Sequence, residues 1–162
     1  MARPNPVRSI MEAELPSTTY QRRKLFRPSS ADITYAYNII NRHVFRNQLR
    51  KPKITTGRLG PAWGTCGWYY GEKNPGTQCD IWLADKWFCP QWFIQTLAHE
   101  MVHQYQWDIH RFEYHNGKMD KKSGAHGPDF FMFRERFDHY GLYLKQWYGQ
   151  KRWFKHQDFR KC

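Results

Sequence analysis

No stretch of this chain approaches the 18 or so consecutive apolar residues that a membrane-spanning helix requires. The opening "MARPNPVRSIMEAELP" has no apolar run of the kind a secretory signal needs. The resulting expectation is an intracellular protein with no membrane partner, cytoplasmic or nucleoid-associated, and compatible with a virion. Cysteine is scarce: Cys66, Cys79, Cys89 and Cys162, with no C-x-x-C pair. That spacing argues against a zinc ribbon, and a 162-residue chain buries enough core to manage without disulfides. The first three cysteines read as reduced thiols in or near the core, and Cys162 as exposed. Acidic residues are also few, 14 Asp and Glu against 26 Lys and Arg, for a formal net charge of +12. Such a balance favours polyanionic partners, nucleic acid above all, or else a solvated basic face.

Aromatic residues, by contrast, are plentiful: 8 Trp, 10 Tyr and 11 Phe. Most of that area must be core, and the rest can form a stacking or substrate surface.

Three segments follow from composition. Residues 1–29 hold four prolines and the cluster Arg22, Arg23, Lys24 and Arg27, which reads as an extended or partly disordered basic arm. Residues 30–148 read as one folded domain. Residues 149–162 form a tail mixing cations with aromatics.

Within the domain, "SSADITYAYNIINRHVF" is a helix: Ser29 or Ser30 caps it and Ile33, Tyr37, Ile40 and Val44 share a face. Pro52 is expected to stop it. "KITTGRL", "GTCGWYYG" and "TQCDIWLA" are short strands whose close spacing predicts an antiparallel meander. "CPQWFIQTLAHEMVHQYQW" is a strongly amphipathic helix with Pro90 in its first turn. Residues 108–125 are polar and basic, a long loop. "GPDFFMFRERFDHYG" is a last helix with Phe130, Phe133, Phe137 and Tyr140 as its buried stripe.

The chemistry concentrates in His99-Glu100-Met101-Val102-His103. On a helix, the i, i+4 spacing brings both imidazoles to one metal ion. Zinc accepts neutral imidazole nitrogen readily, and a catalytic site takes three protein ligands and keeps a fourth position open. A glutamate beside the first ligand can reach water there without binding the metal, so Glu100 is the candidate general base. The third ligand has several candidates, with Glu113 and His115 in the loop among them. His126 ranks first, since Gly124 and Gly127 flank it and a proline-initiated helix follows. His110, seven residues after His103, ranks second and Glu113 third. The extended pattern with glycine and histidine after the pair is excluded, because Gln106 and Ile109 occupy those positions.

"TLAHEMVHQY" followed by "GAHGPDF", with the upstream "RLGPAWGTCGWYY" and "CDIWLA", resembles the SprT-like metalloprotease domain, the family of the DNA-dependent protease Spartan. The resemblance covers about residues 31–140. It implies an α+β, minimal zincin-like fold: a helix, a small three-stranded antiparallel sheet, the active-site helix and a further helix. It also implies one zinc held by His99, His103 and His126, with Glu100 as base, and cleavage of protein substrates, including proteins crosslinked to DNA. The chain departs from many relatives in lacking a C-terminal zinc ribbon and in its long basic loop.

The expected activity is therefore a zinc endopeptidase working near DNA. DNA would be bound without base specificity, through Arg22, Arg23, Lys24, Lys121, Lys122, Lys151, Arg152 and Trp153. The alternative is a zinc-stabilised structural or nucleic-acid-binding protein without turnover, such as a phage or virion component. Glu100 argues against it, because zinc binding alone does not require that residue.

Overall fold

The computed structural model describes residues 10, 15–17, 25–60, 62–68, 71–110 and 125–146. The first helix, α1 (Ser30–His43), starts at a reciprocal cap: Ser29 accepts from the Asp32 amide and Asp32 accepts from the Ser29 amide. Asp32 also accepts from the amide and hydroxyl of Ser17, which ties the preceding segment to the helix start. α1 ends nine residues before Pro52, so the proline does not stop it. The chain instead turns through Arg46 and Asn47, both at positive φ, while the Asn41 amide pairs with both backbone groups of Leu49. That side chain satisfies the backbone of the turn and so stabilises the reversal.

Three strands follow, β1 (Ile54–Gly57), β2 (Gly64–Trp68) and β3 (Cys79–Ala84). The sheet is not an antiparallel meander. Its order is β1-β3-β2, with β1 parallel to β3 and β2 antiparallel to it. Ile54 and Cys66 both stand opposite Ile81, one on each side. Burial explains the order. Cys79, Ile81 and Leu83 are fully buried, which suits a central strand, whereas the short threonine- and glycine-containing β1 and β2 take the edges.

α2 (Pro90–Asp108) packs on the sheet face formed by Cys79, Ile81 and Leu83 and by Gly64 and Cys66. The sequence predicts a strongly amphipathic helix, but every residue from Trp92 to Gln106 is buried, on the polar face as well as the apolar one. α2 is therefore the central element, and its glutamines Gln95 and Gln104 are hydrogen-bonded rather than solvated. Gln95 exchanges two hydrogen bonds with the backbone of Tyr143, at 2.5 and 2.7 Å. Gln104 accepts from the Tyr37 hydroxyl and donates to the Arg50 carbonyl and to Asp108. These bonds anchor the C-terminal segment and α1 to opposite parts of one helix.

The last helix is two short ones, α3 (Pro128–Phe131) and α4 (Arg134–His139). The interruption lets Phe133 pack on Phe45 and Tyr105, at centroid distances of 4.9 and 4.8 Å, while Phe130 turns toward α2. Phe130, Phe133 and Phe137 are buried as expected, and Tyr140 is only partly so. Part of the segment read as an arm also joins the core. Ile10, Leu15 and Phe26 are buried, and Phe26 pairs its backbone with Trp87. The class is α+β, as expected. Among the described residues no helix is long and apolar enough to cross a membrane.

Candidate metal centre

His99 and His103 stand one turn apart on α2, and His126 comes from the turn that enters α3. Their Nε2 atoms form a small triangle, 3.2 Å between His99 and His103, 3.1 Å between His103 and His126, and 3.4 Å between His99 and His126. The three residues are the group among those described whose ligand atoms converge closely enough for a metal ion. With metal–nitrogen bonds of about 2.0–2.1 Å, the corners of a tetrahedron lie about 3.3–3.4 Å apart. The observed edges are close to that spacing, and three corners leave the fourth open.

The donor chemistry fits as well. In a triangle of neutral imidazole nitrogens, each corner is either a lone pair or an N–H. At least one pair must therefore face like to like. A cation at the centre relieves that repulsion and takes all three lone pairs. Burial keeps the rings in the neutral state this requires. His99 is held well below the ordinary histidine value by burial and by the charges of His103 and His126, with a backbone hydrogen bond to Lys145 opposing. His103 is pushed down to about 4, mainly by burial, and His126 is lowered by burial.

Phe130 forms the platform beneath the cluster. Its ring lies 5.0 Å from His99, 4.9 Å from His103 and 4.7 Å from His126, centroid to centroid. This contact fixes the imidazole planes and excludes water from one side.

Glu100 lies in the same cleft, a cavity of about 250 Å³ whose opposite wall is Gly64, Thr65 and Cys66 of β2. Its side chain is buried, and burial pushes its carboxyl up to about 8. A nearby cation acts in the opposite direction and favours the carboxylate. Trp63 continues the wall, stacking on Trp87 at 5.0 Å and packing at a tilt against Trp92 at 4.6 Å.

Gly64 is required here for its size. A Cβ on it would stand 2.9 Å from the Thr96 methyl and 3.0 Å from Glu100 Cγ. The strand reaches α2 this closely only without a side chain. Sequence reasoning missed this role, and "WGTCGW" carried no mark of which glycine meets the helix.

Cys66 also lines the cleft, with its sulfur 3.3 Å from that of Cys79. Burial, then Cys79, raises its thiol well above the ordinary value, which favours the protonated thiol. Cys66 and Cys79 are free, as expected, but Cys89 is disulfide-bonded rather than reduced.

Of the sequence-predicted site residues, His99, Glu100, His103 and His126 come together. His110 does not join them; it packs on Tyr105, ring to ring at 5.0 Å. Glu113 and His115 lie outside the described residues. So do Arg22, Arg23, Lys24, Lys121, Lys122, Lys151, Arg152 and Trp153, the residues expected to contact nucleic acid. No protein-family model matches the chain, and no curated protein matches it.

Proposed function

We propose that the protein is a zinc-dependent endopeptidase of the SprT-like kind, acting on protein substrates on or near DNA. The observation that carries this reading is the placement of Glu100 in one cleft with three imidazole nitrogens at tetrahedral spacing. Zinc, when bound, supplies a Lewis acid that polarises a carbonyl and acidifies water at neutral pH. His99, His103 and His126 would hold it. Glu100 takes a proton from the attacking water as the new C–O bond forms. It then delivers that proton to the amine nitrogen as the C–N bond breaks.

The cleft also suits a chain substrate. β2 has β3 on one side only among the described strands, and Gly64–Cys66 lines the site. An extended peptide can add to such an edge through main-chain hydrogen bonds, which requires little of its sequence. The carboxyl beside the histidines separates this reading from a purely structural metal site, where a buried glutamate would only cost desolvation.

The proposal of DNA proximity rests on the net charge of +12. The test measures bound zinc per chain and cleavage of casein and histones, with and without single-stranded DNA. The expected result is one zinc per chain and cleavage that rises with DNA. Zinc without cleavage of any protein would overturn the peptidase reading, and cleavage indifferent to DNA would leave a general peptidase.

A further inference from the structure

Gln106 lies one turn beyond His103 on α2 and is buried. Among the described residues its side-chain amide makes three hydrogen bonds. Nε2 donates to the Ala125 carbonyl at 2.8 Å and to Asp129 Oδ2 at 2.7 Å, while Oε1 faces His103 Nδ1 at 2.8 Å. Two of these partners, a carbonyl and a carboxylate, only accept. The amide nitrogen must therefore face them, and its oxygen must face His103. That oxygen only accepts, so His103 Nδ1 must carry the proton. A neutral imidazole with Nδ1 protonated has its lone pair on Nε2, the atom turned to the other two histidines.

We infer that Gln106 is a positioning residue that presets the metal centre. Through one bond it locks the tautomer of His103. Through the other two it clips the turn carrying His126 onto the helix carrying His99 and His103. Ala125 immediately precedes His126, and Asp129 lies in the first turn of the helix that follows it. One amide thus sets both the electronic state of the second ligand and the location of the third. This inference rests on the reading of the three histidines as a metal site, but not on peptidase activity.

The outer partners of metal-bound histidines typically contribute about 10–100-fold in affinity. Gln106→Leu keeps the bulk and removes all three bonds. Zinc affinity, from competition with a chromogenic chelator, is expected to fall about 10–100-fold. Nitrogen-15 NMR of the histidine rings in the metal-free protein reads the tautomer directly. The wild type should show His103 protonated on Nδ1 alone, and the leucine variant should show the other tautomer as well.

Should the leucine variant fail to fold, Gln106→Glu decides. It can still accept from His103 but can donate to neither Ala125 nor Asp129. The His103 tautomer should persist while the amide resonances of Ala125, His126, Gly127 and Asp129 shift. An Nε2-protonated His103 in the wild type overturns the inference. So does a folded leucine variant with unchanged tautomer and zinc affinity, or loss of the tautomer in the glutamate variant. A wild type that binds no zinc defeats the metal reading itself, while the NMR arm still reports on Gln106.

Discussion

A side chain at Gly64 and the present position of Glu100 exclude one another: a Cβ there would lie 3.0 Å from Glu100 Cγ and 3.1 Å from its Oε1. The edge strand and the glutamate are thus fitted by the absence of a single carbon. Gly64→Ala is expected to retain zinc, because no ligand moves directly. It should lower the rate of peptide cleavage about 100-fold, since a displacement of about 1 Å at a reacting group can cost that much. Overpacking should also remove about 1–3 kcal/mol of stability. Zinc content, cleavage rate and urea unfolding of the variant check all three.

Glu100→Gln separates binding from turnover. Glutamine has nearly the same shape and cannot take the proton of water. The variant should bind zinc as the wild type does and cleave about 10²–10⁴-fold more slowly. A variant cleaving at the wild-type rate would remove Glu100 from the mechanism.

Metal content distinguishes the two histidines that follow the helical pair. His126→Ala deletes one corner of the triangle and should abolish stoichiometric zinc. His110→Ala should keep it, since His110 packs on Tyr105 away from the cluster. Zinc assay of the purified variants is decisive, and the opposite pattern would reassign the third ligand.

Asp32 at the start of α1 is expected to contribute to acid sensitivity. Burial alone would raise its carboxyl, but hydrogen bonds from Ser17 and Ser29 outweigh that and hold it below the ordinary 3.8. A depressed carboxyl contributes stability that is present above the unfolded value of 3.8 and is lost as pH falls through the folded value. Asp32→Asn should therefore cost about 1–3 kcal/mol near pH 7, as for hydrogen bonds to a charged group. The difference from wild type should shrink below pH 3.8. Urea titrations of both proteins at pH 7 and pH 3 measure the gap.

The three clustered histidines were legible because the signals that bring them together are local. Two histidines four apart need only a helix to meet, and glycines around a third mark a turn. The elements themselves were legible for the same reason, since periodicity and caps act over a few residues. Strand order was not. Alternation in "ITTG" and "GTCGW" shows which face is buried but not which neighbour lies alongside, and β3 took the centre through its greater burial. The total burial of α2 was hidden too, because glutamines that look solvated in sequence are paired with distant backbone groups, Gln95 with Tyr143 and Gln104 with Arg50. Gln106 stood three residues beyond His103, a spacing that marks contact on a helix, but its meaning depends on Ala125 and Asp129.

The strand order has a consequence for synthesis. β3 is the middle of the sheet in space and the last of the three strands off the ribosome. Until residue 79 emerges, β1 and β2 have no partner between them and their backbone groups stay open to other chains. The helix that carries His99 and His103 begins at Pro90, directly after that strand. At about 5–20 residues per second, the 30 residues from 79 to 108 appear within about 1.5–6 s. Sheet closure and the arrival of the first two histidines of the cluster are therefore nearly one event, and a chain arrested before it exposes two strand edges with no centre to join.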